Sequence, residues 1–236
     1  MLLILCSIGL MHAQTLISDA FDLNGTTRTA GGNLNGLPPE VGSGTWYSNA
    51  KFGANGGVTV KNTGVDTFGL ISFTNPGAAL TAQASVITVT SGWISVGFQH
   101  SSSNSNWFDS SNSLLFGLLT PTGGWQLKSG ATLIASGVLS NFTSTNPYTL
   151  KLVYNPTTAI ADLLINDINV SGDRSVTLSN SIGSSGFFIY GNGTATTSSL
   201  VEDFSVVAVP EPSPKLLVVT GLLLGMLILR RGCLRS

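Results

Sequence analysis

The sequence predicts an all-β sandwich over residues 14–209, and three observations carry that reading. No stretch repeats apolar residues at the three-and-four spacing of an amphipathic helix. Short apolar or alternating runs recur instead. Clusters of Gly, Asn, Ser, Thr and Pro separate them, which is the chemistry of tight turns between short strands.

The runs can be taken in order. Residues 16–47 are mostly loop, with Asn24-Gly25, Gly31-Gly32-Asn33, Asn35-Gly36 and Pro38-Pro39 as turn dipeptides, closing on Thr45-Trp46-Tyr47. Strands are expected at 57–61, 69–73 and 80–90. In 93–98 the alternation puts Ile94, Val96 and Phe98 on one face and Trp93, Ser95 and Gly97 on the other. A polar loop, 101–113, carries Trp107 and Phe108 at its centre. Strands resume at 114–120, 125–128 and 132–139. In 148–154, Tyr148, Leu150, Leu152 and Tyr154 point inward while Thr149, Lys151 and Val153 point outward. Asn155-Pro156-Thr157-Thr158 turns the chain into a partner strand at 159–165. Strands at 187–190 and 200–208 complete the domain.

Composition excludes several functions. Only 9% of residues are charged, with 10 basic against 11 acidic. No basic patch could track a phosphate backbone, so nucleic acid is not an expected partner. Between residues 14 and 209 there are six basic residues (Arg28, Lys51, Lys61, Lys128, Lys151, Arg174) and ten acidic ones, a net charge of −4. Both cysteines, Cys6 and Cys233, lie outside this span, so the body has no disulfide, thiolate nucleophile or cysteine metal site. One histidine remains in it besides His12 at its border: His100, read as a strand-end residue. No Gly-x-Ser-x-Gly elbow surrounds a serine. No catalytic residue, metal ligand or cofactor is assigned. Oxygen-rich loops at Asn166-Asp167 and Asp109-Ser110-Ser111-Asn112 are the candidates for Ca²⁺, and read more simply as solvated turns.

Glycoside hydrolysis needs two carboxylates roughly 5–5.5 Å apart for retention. The body has two glutamates, Glu40 and Glu202, and Asp162 and Asp167 bracket one strand; none forms a recognisable catalytic motif. Sugar binding needs less. A flat aromatic face stacks on a pyranose ring while nearby polar groups bond its hydroxyls. Trp107 with Phe108 is the leading candidate, followed by Trp46 with Tyr47; Trp93 and Trp125 read as core.

Two resemblances add to this. YTLKLVYNP (148–156), the strand ending Leu164-Ile165-Asn166-Asp167, and the terminal Val201-Glu202-Asp203-Phe204-Ser205-Val206 resemble the concanavalin A-like jelly roll of laminin-G-type and legume-lectin-type domains. By analogy, Asp19-Ala20-Phe21-Asp22 suits a first strand lying beside the last. Here the Asn166-Asp167-Ile168 corner lacks the glycine often found in those families.

The end of the chain resembles something more specific. Pro210-Glu211-Pro212 is followed by 14 uncharged residues, 216–229, and then by Arg230, Arg231 and Arg235. A helix of that length spans about 21 Å, short for a bilayer core of roughly 30 Å. It is apolar on every face, and Lys215 can snorkel at its start. Arginines beyond the span place the C-terminus in the cytoplasm and the body outside. The three parts together resemble the PEP-CTERM sorting signal of Gram-negative bacteria. That resemblance implies an exosortase as partner, an inner-membrane precursor, and Pro210, Glu211 and Pro212 as a motif read by that enzyme. At the other end, residues 1–13 (MLLILCSIGLMHA) read as a secretory signal peptide without the usual basic end, which a start codon assigned too late would explain.

The expected protein is therefore an exported, exosortase-processed component of the cell envelope or extracellular matrix. Its sandwich is non-catalytic and a candidate binder of extracellular polysaccharide. The alternative is a polysaccharide-active enzyme with an unrecognised carboxylate pair. A third reading, an ice or surface adhesin of the kind that carries similar tails, finds only the lone Thr88-Val89-Thr90 in place of a regular threonine array.

Overall fold

A computed structural model describes residues 12–60, 66–103, 113–191 and 200–209. The described residues form two antiparallel sheets with no helix. The strands in chain order are β1 (Gln14–Asp19), β2 (Tyr47–Ser48), β3 (Lys51–Phe52), β4 (Val58–Thr59), β5 (Thr67–Ser72), β6 (Ala79–Val86), β7 (Trp93–Gln99) and β8 (Ser113–Leu119). They continue as β9 (Gly124–Ser129), β10 (Thr132–Val138), β11 (Tyr148–Asn155), β12 (Ile160–Ile165), β13 (Ile168–Asn169), β14 (Arg174–Ser175), β15 (Ser184–Tyr190) and β16 (Val201–Val209). One sheet runs β13-β12-β11-β6-β16-β4-β3, with β1 also on β16 and β14 on β12. The other has seven strands in the order β10-β9-β8-β7-β15-β5-β2.

Most expected strands occur within a few residues of their predicted bounds, and the inward pattern of β11 is as read: Tyr148, Leu150, Leu152 and Tyr154 are buried. The strand expected at 80–90 stops at Val86, and the one at 57–61 is reduced to Val58–Thr59. Conversely, β15 begins three residues early, because Ser184, Ser185 and Gly186 pair in register although none is a large apolar residue. The first strand does lie beside the last, from Gln14 opposite Ala208 to Asp19 opposite Phe204. A bulge between Glu202 and Ser205, with Asp203 at φ 51°, lies where β16 exchanges β4 for β1 as its neighbour.

The core lies between the sheets and is fastened by one carboxylate. Asp19 is fully buried at the end of β1. Its Oδ1 accepts from Phe21 N at 2.9 Å and Arg28 Nη1 at 2.6 Å. Its Oδ2 accepts from Arg28 Nη2 at 2.9 Å and Trp46 Nε1 at 2.8 Å. Arg28 also donates to Pro38 O at 2.8 Å and to Glu40 Oε1 at 3.1 Å. A buried ion pair of this kind is tolerated only when its remaining polar groups are bonded, and here they are.

The same carboxylate holds Phe21 at φ 58°, a left-handed conformation that costs a bulky side chain energy. Phe21 packs on Trp46 and Phe187 with ring centroids 5.5 and 5.9 Å away, and Trp46 meets Phe204 at 5.4 Å. This cluster joins the 20–46 loop to β15 and β16. Gly69 makes room for it, since a Cβ there would come within 2.5 Å of the Phe187 ring.

Removing one partner strands the other charge, which costs about 3–5 kcal/mol in buried pairs. Asp19→Ala is therefore expected to lower the melting temperature by about 10 °C in calorimetry. A change of a degree or less would show that the loop is held by other contacts.

Candidate functional site

Side chains alternate across each strand, so register assigns them to faces. On the nine-stranded sheet the outward residues of β6 are Thr81, Gln83 and Ser85, and those of β11 include Thr149 and Lys151, an ordinary solvent face. The seven-stranded sheet differs. Its outward row starts at Tyr47 and continues through Leu70, Gly186, Gly97 and Phe116 to Lys128 on β9. The next row holds Phe68, Phe188, Ser95, Leu118 and Gln126, and beyond it Tyr190 lies opposite Trp93.

These residues form a second apolar cluster, separate from the core. Leu70, Phe116, Leu118 and Phe188 are buried, with Phe68 and Trp93 half-buried against them. Trp93 is the centre of a near-parallel stack. Its ring lies 5.4 Å from Tyr190 at 16°, 5.3 Å from Phe188 at 28° and 6.1 Å from Phe116 at 23°. Tyr47 lies 5.2 Å from Phe68. Tyr190 and Tyr47 keep 45% and 43% of their surface exposed. The seven strands contain no acidic residue and one basic residue, Lys128. Ser184, outward and fully buried on β15, has a hydroxyl with no hydrogen-bond partner.

The residues proposed from sequence fall in different places. Trp46 is corrected: only 1% of its surface is exposed, and its ring and Nε1 are committed to the core and to Asp19, so it offers no face to a sugar. Tyr47, its neighbour, points the other way and belongs to the outer strip. Trp107 and Phe108 lie outside the described residues, as do Pro210, Glu211, Pro212, Arg230, Arg231, Arg235 and the 109–112 loop. Trp125 is a core residue as expected, whereas Trp93 is not. The signal for Trp93 was present in the Trp93-x-Ser95-x-Gly97 alternation. For Phe188 it was the Phe187-Phe188 doublet, since two adjacent aromatics in a strand face opposite sides.

The remaining polar candidates are engaged elsewhere. His100 Nδ1 donates to Ser181 O at 2.9 Å at the end of β7. Asn166 Oδ1 accepts from Thr149 N at 2.8 Å, and Lys151 donates to Asp167 Oδ1. Glu40 is tied to Arg28 and to Ala20 N. Among the described residues no three His, Cys, Asp or Glu side chains converge as a metal site.

Asp162, outward on the nine-stranded sheet, has its nearest carboxylate in Asp173 rather than Asp167. Partial burial holds its pKa above the ordinary value; the bond from Asn169 Nδ2 at 2.9 Å opposes that shift and the Asp173 carboxylate adds to it. The folded protein thus binds a proton more tightly here than the unfolded chain does. Stability from this group is present below the unfolded pKa and is lost as pH rises through the folded one. Asp162→Asn is expected to melt above the unaltered protein at pH 7 and level with it near pH 3. A variant that melts lower at pH 7 would mean that the Asn169 bond dominates.

No protein-family model and no curated protein matches the chain. Solved structures do. A protein with a galectin-like fold from Bacillus subtilis aligns over 84% of this chain and 97% of its own, at 11% identity and a TM-score of 0.54. The carbohydrate recognition domain of Emp47p aligns over 83% and 95%, at 14% identity and 0.52. Arcelin-5, a lectin-like defence protein from Phaseolus vulgaris, aligns over 83% and 98%, at 9% identity and 0.50. At these identities the likeness concerns the fold: the chain has the jelly-roll architecture of galectin-like and lectin-like proteins.

Proposed function

We propose that this protein is a non-catalytic glycan-binding sandwich, exported and delivered to the cell envelope or extracellular matrix by its C-terminal tail. The observation that carries the binding reading is the aromatic strip on the outward face of the seven-stranded sheet. Tyr47, Phe68, Trp93 and Tyr190 supply flat rings at its accessible margin, and Gln126, Lys128 and Ser136 supply polar groups beside it. Rings with a few convergent polar groups are the composition of a sugar-binding surface. The Emp47p carbohydrate recognition domain and arcelin-5 support the reading by fold. With Lys128 as the only charged side chain in its seven strands, the strip would hold a sugar mainly by ring stacking and hydroxyl bonding, which suits a neutral polysaccharide.

An enzymatic reading has one observation in its favour, the Asp162–Asp173 pair. It lies on the outer face of the nine-stranded sheet, away from the aromatic strip that would hold a substrate, and we rank it second.

Binding is tested on a panel of extracellular polysaccharides with the unaltered protein, Trp93→Ala and Tyr190→Ala. Each variant is expected to weaken binding by at least about tenfold, equivalent to about 1.4 kcal/mol, with far-UV circular dichroism unchanged. Equal affinity in both variants would remove the strip from the site, and depolymerisation abolished by Asp162→Asn would favour the enzyme.

Delivery rests on the tail. Pro210, Glu211 and Pro212 are the motif offered to an exosortase, and residues 216–229 with Arg230, Arg231 and Arg235 form the span and stop that hold it at the membrane. β16 ends at Val209, so the motif comes directly after the domain without a spacer. Replacing Pro210 and Glu211 by alanine is expected to leave the protein in the membrane fraction of cells that carry an exosortase. Normal release of that variant would refute the assignment.

A further inference from the structure

A sheet edge exposes a row of unpaired backbone N–H and C=O groups, and folded proteins guard such edges with very short strands, covering loops, charges or proline. Among the described residues this protein guards nearly all of its own. The nine-stranded sheet ends in the two-residue strands β13 and β3, with the two-residue β14 alongside β12. On the free side of β1, Val41 exchanges two backbone hydrogen bonds of 3.0 and 2.9 Å with Ser18, near the end of the strand. The seven-stranded sheet ends at one side in β2, again two residues.

Its other end is β10, and β10 is different. It has seven residues, TLIASGV, without a charge or a proline. Its one irregularity is a bulge between Leu133 and Ala135, after which the pairing with β9 is regular to Val138. Two outward side chains on this edge are large, apolar and open to solvent, with Leu133 51% and Val138 75% exposed. Beside it an apolar cleft of about 390 Å³ separates the two sheets, lined by Trp125, Val138, Tyr148, Ile165 and Ile168. Ile168, on the opposite lip, is 68% exposed.

We infer that β10 is a pairing edge for β10 of a second copy of this chain. An antiparallel pair about a two-fold axis beside Gly137 keeps Ala135 and Gly137 facing inward in both copies and sets Val138 of one copy beside Ser136 of the other. Like charges directly opposite would oppose such a pair, and this edge has none. The same absence leaves an acidic or basic peptide nothing to complement. A self-complementary contact closes both open edges at once, which is the economy of a two-fold interface. Gly137 is required at the axis for a local reason: a Cβ there would lie 2.6 Å from the Trp125 ring. The pairing joins the two seven-stranded sheets edge to edge, so the aromatic strips of both copies share one continuous face. That last consequence rests on the glycan-binding reading and would convert weak single-site binding into avidity; the pairing itself does not depend on it.

The test is sedimentation of the full chain in detergent, without glycan, for the unaltered protein and Val138→Lys, together with hydrogen exchange of the 135–138 amides. The unaltered protein is expected to sediment as a dimer with protected amides. Val138→Lys is expected to sediment as a monomer, with faster exchange over 135–138 and an unchanged far-UV circular dichroism spectrum. Ser136→Lys, also outward, repeats the test should Val138→Lys alter that spectrum. A monomeric unaltered protein would overturn the inference, as would a dimer that survives both lysines and is therefore held by another surface.

Discussion

Four hydrogen bonds onto one buried carboxylate hold the 20–46 segment against this sandwich. Asp19 sits where β1 leaves β16, and its two oxygens collect the Phe21 amide, both terminal nitrogens of Arg28 and the Trp46 indole. Without them, the 20–46 segment would be a long loop with little strand of its own and a costly ordering entropy. With them, it becomes a clasp that brings Phe21 and Trp46 between Phe187 of one sheet and Phe204 of the other. Burying that ion pair carries a desolvation penalty, so its gain is in fixing one arrangement rather than in raw stability.

That clasp also decides where the aromatic surface can be. Thr45-Trp46-Tyr47 enters β2 with Trp46 committed inward, so alternation sends Tyr47 outward onto the strip with Phe68. On β15 the same rule divides Phe187 from Phe188, one to each side. The seven-stranded sheet is consequently apolar on both faces, while the nine-stranded sheet is apolar only on its inner one. A sheet face that is aromatic without being core is the feature of this fold that stability alone does not explain. If β10 pairs with a second copy, that face doubles in width without any new binding residue.

Much of the fold was legible because its strands obey period two and its turns carry the usual residues. β11 and β12 were readable from YTLKLVYNP and from the apolar run 159–165 beyond its turn. What sequence could not supply was the long-range partner that decides a residue's direction. Trp46 and Trp93 look alike in a strand-rich chain, and only Asp19, 27 residues before Trp46, draws one inward. The two-residue strands exist through their neighbours and have no pattern of their own. Ser184, Ser185 and Gly186 became strand through the flanking β5 and β7, against weak local preference. The site was therefore half visible: Tyr47 was proposed for the wrong companion, while Trp93, Phe188 and Tyr190 were seen as strand residues without their shared face.

The outward face of the seven-stranded sheet is the surface proposed to meet this protein's ligand. Chemical-shift mapping of the labelled protein during titration with soluble fragments of a neutral polysaccharide tests it most directly. Perturbations are expected at Tyr47, Phe68, Trp93 and Tyr190, with Lys151, Asp162 and Asp167 on the other sheet unmoved. Perturbations confined to the nine-stranded sheet, or to the cleft beneath Val138 and Ile168, would contradict it.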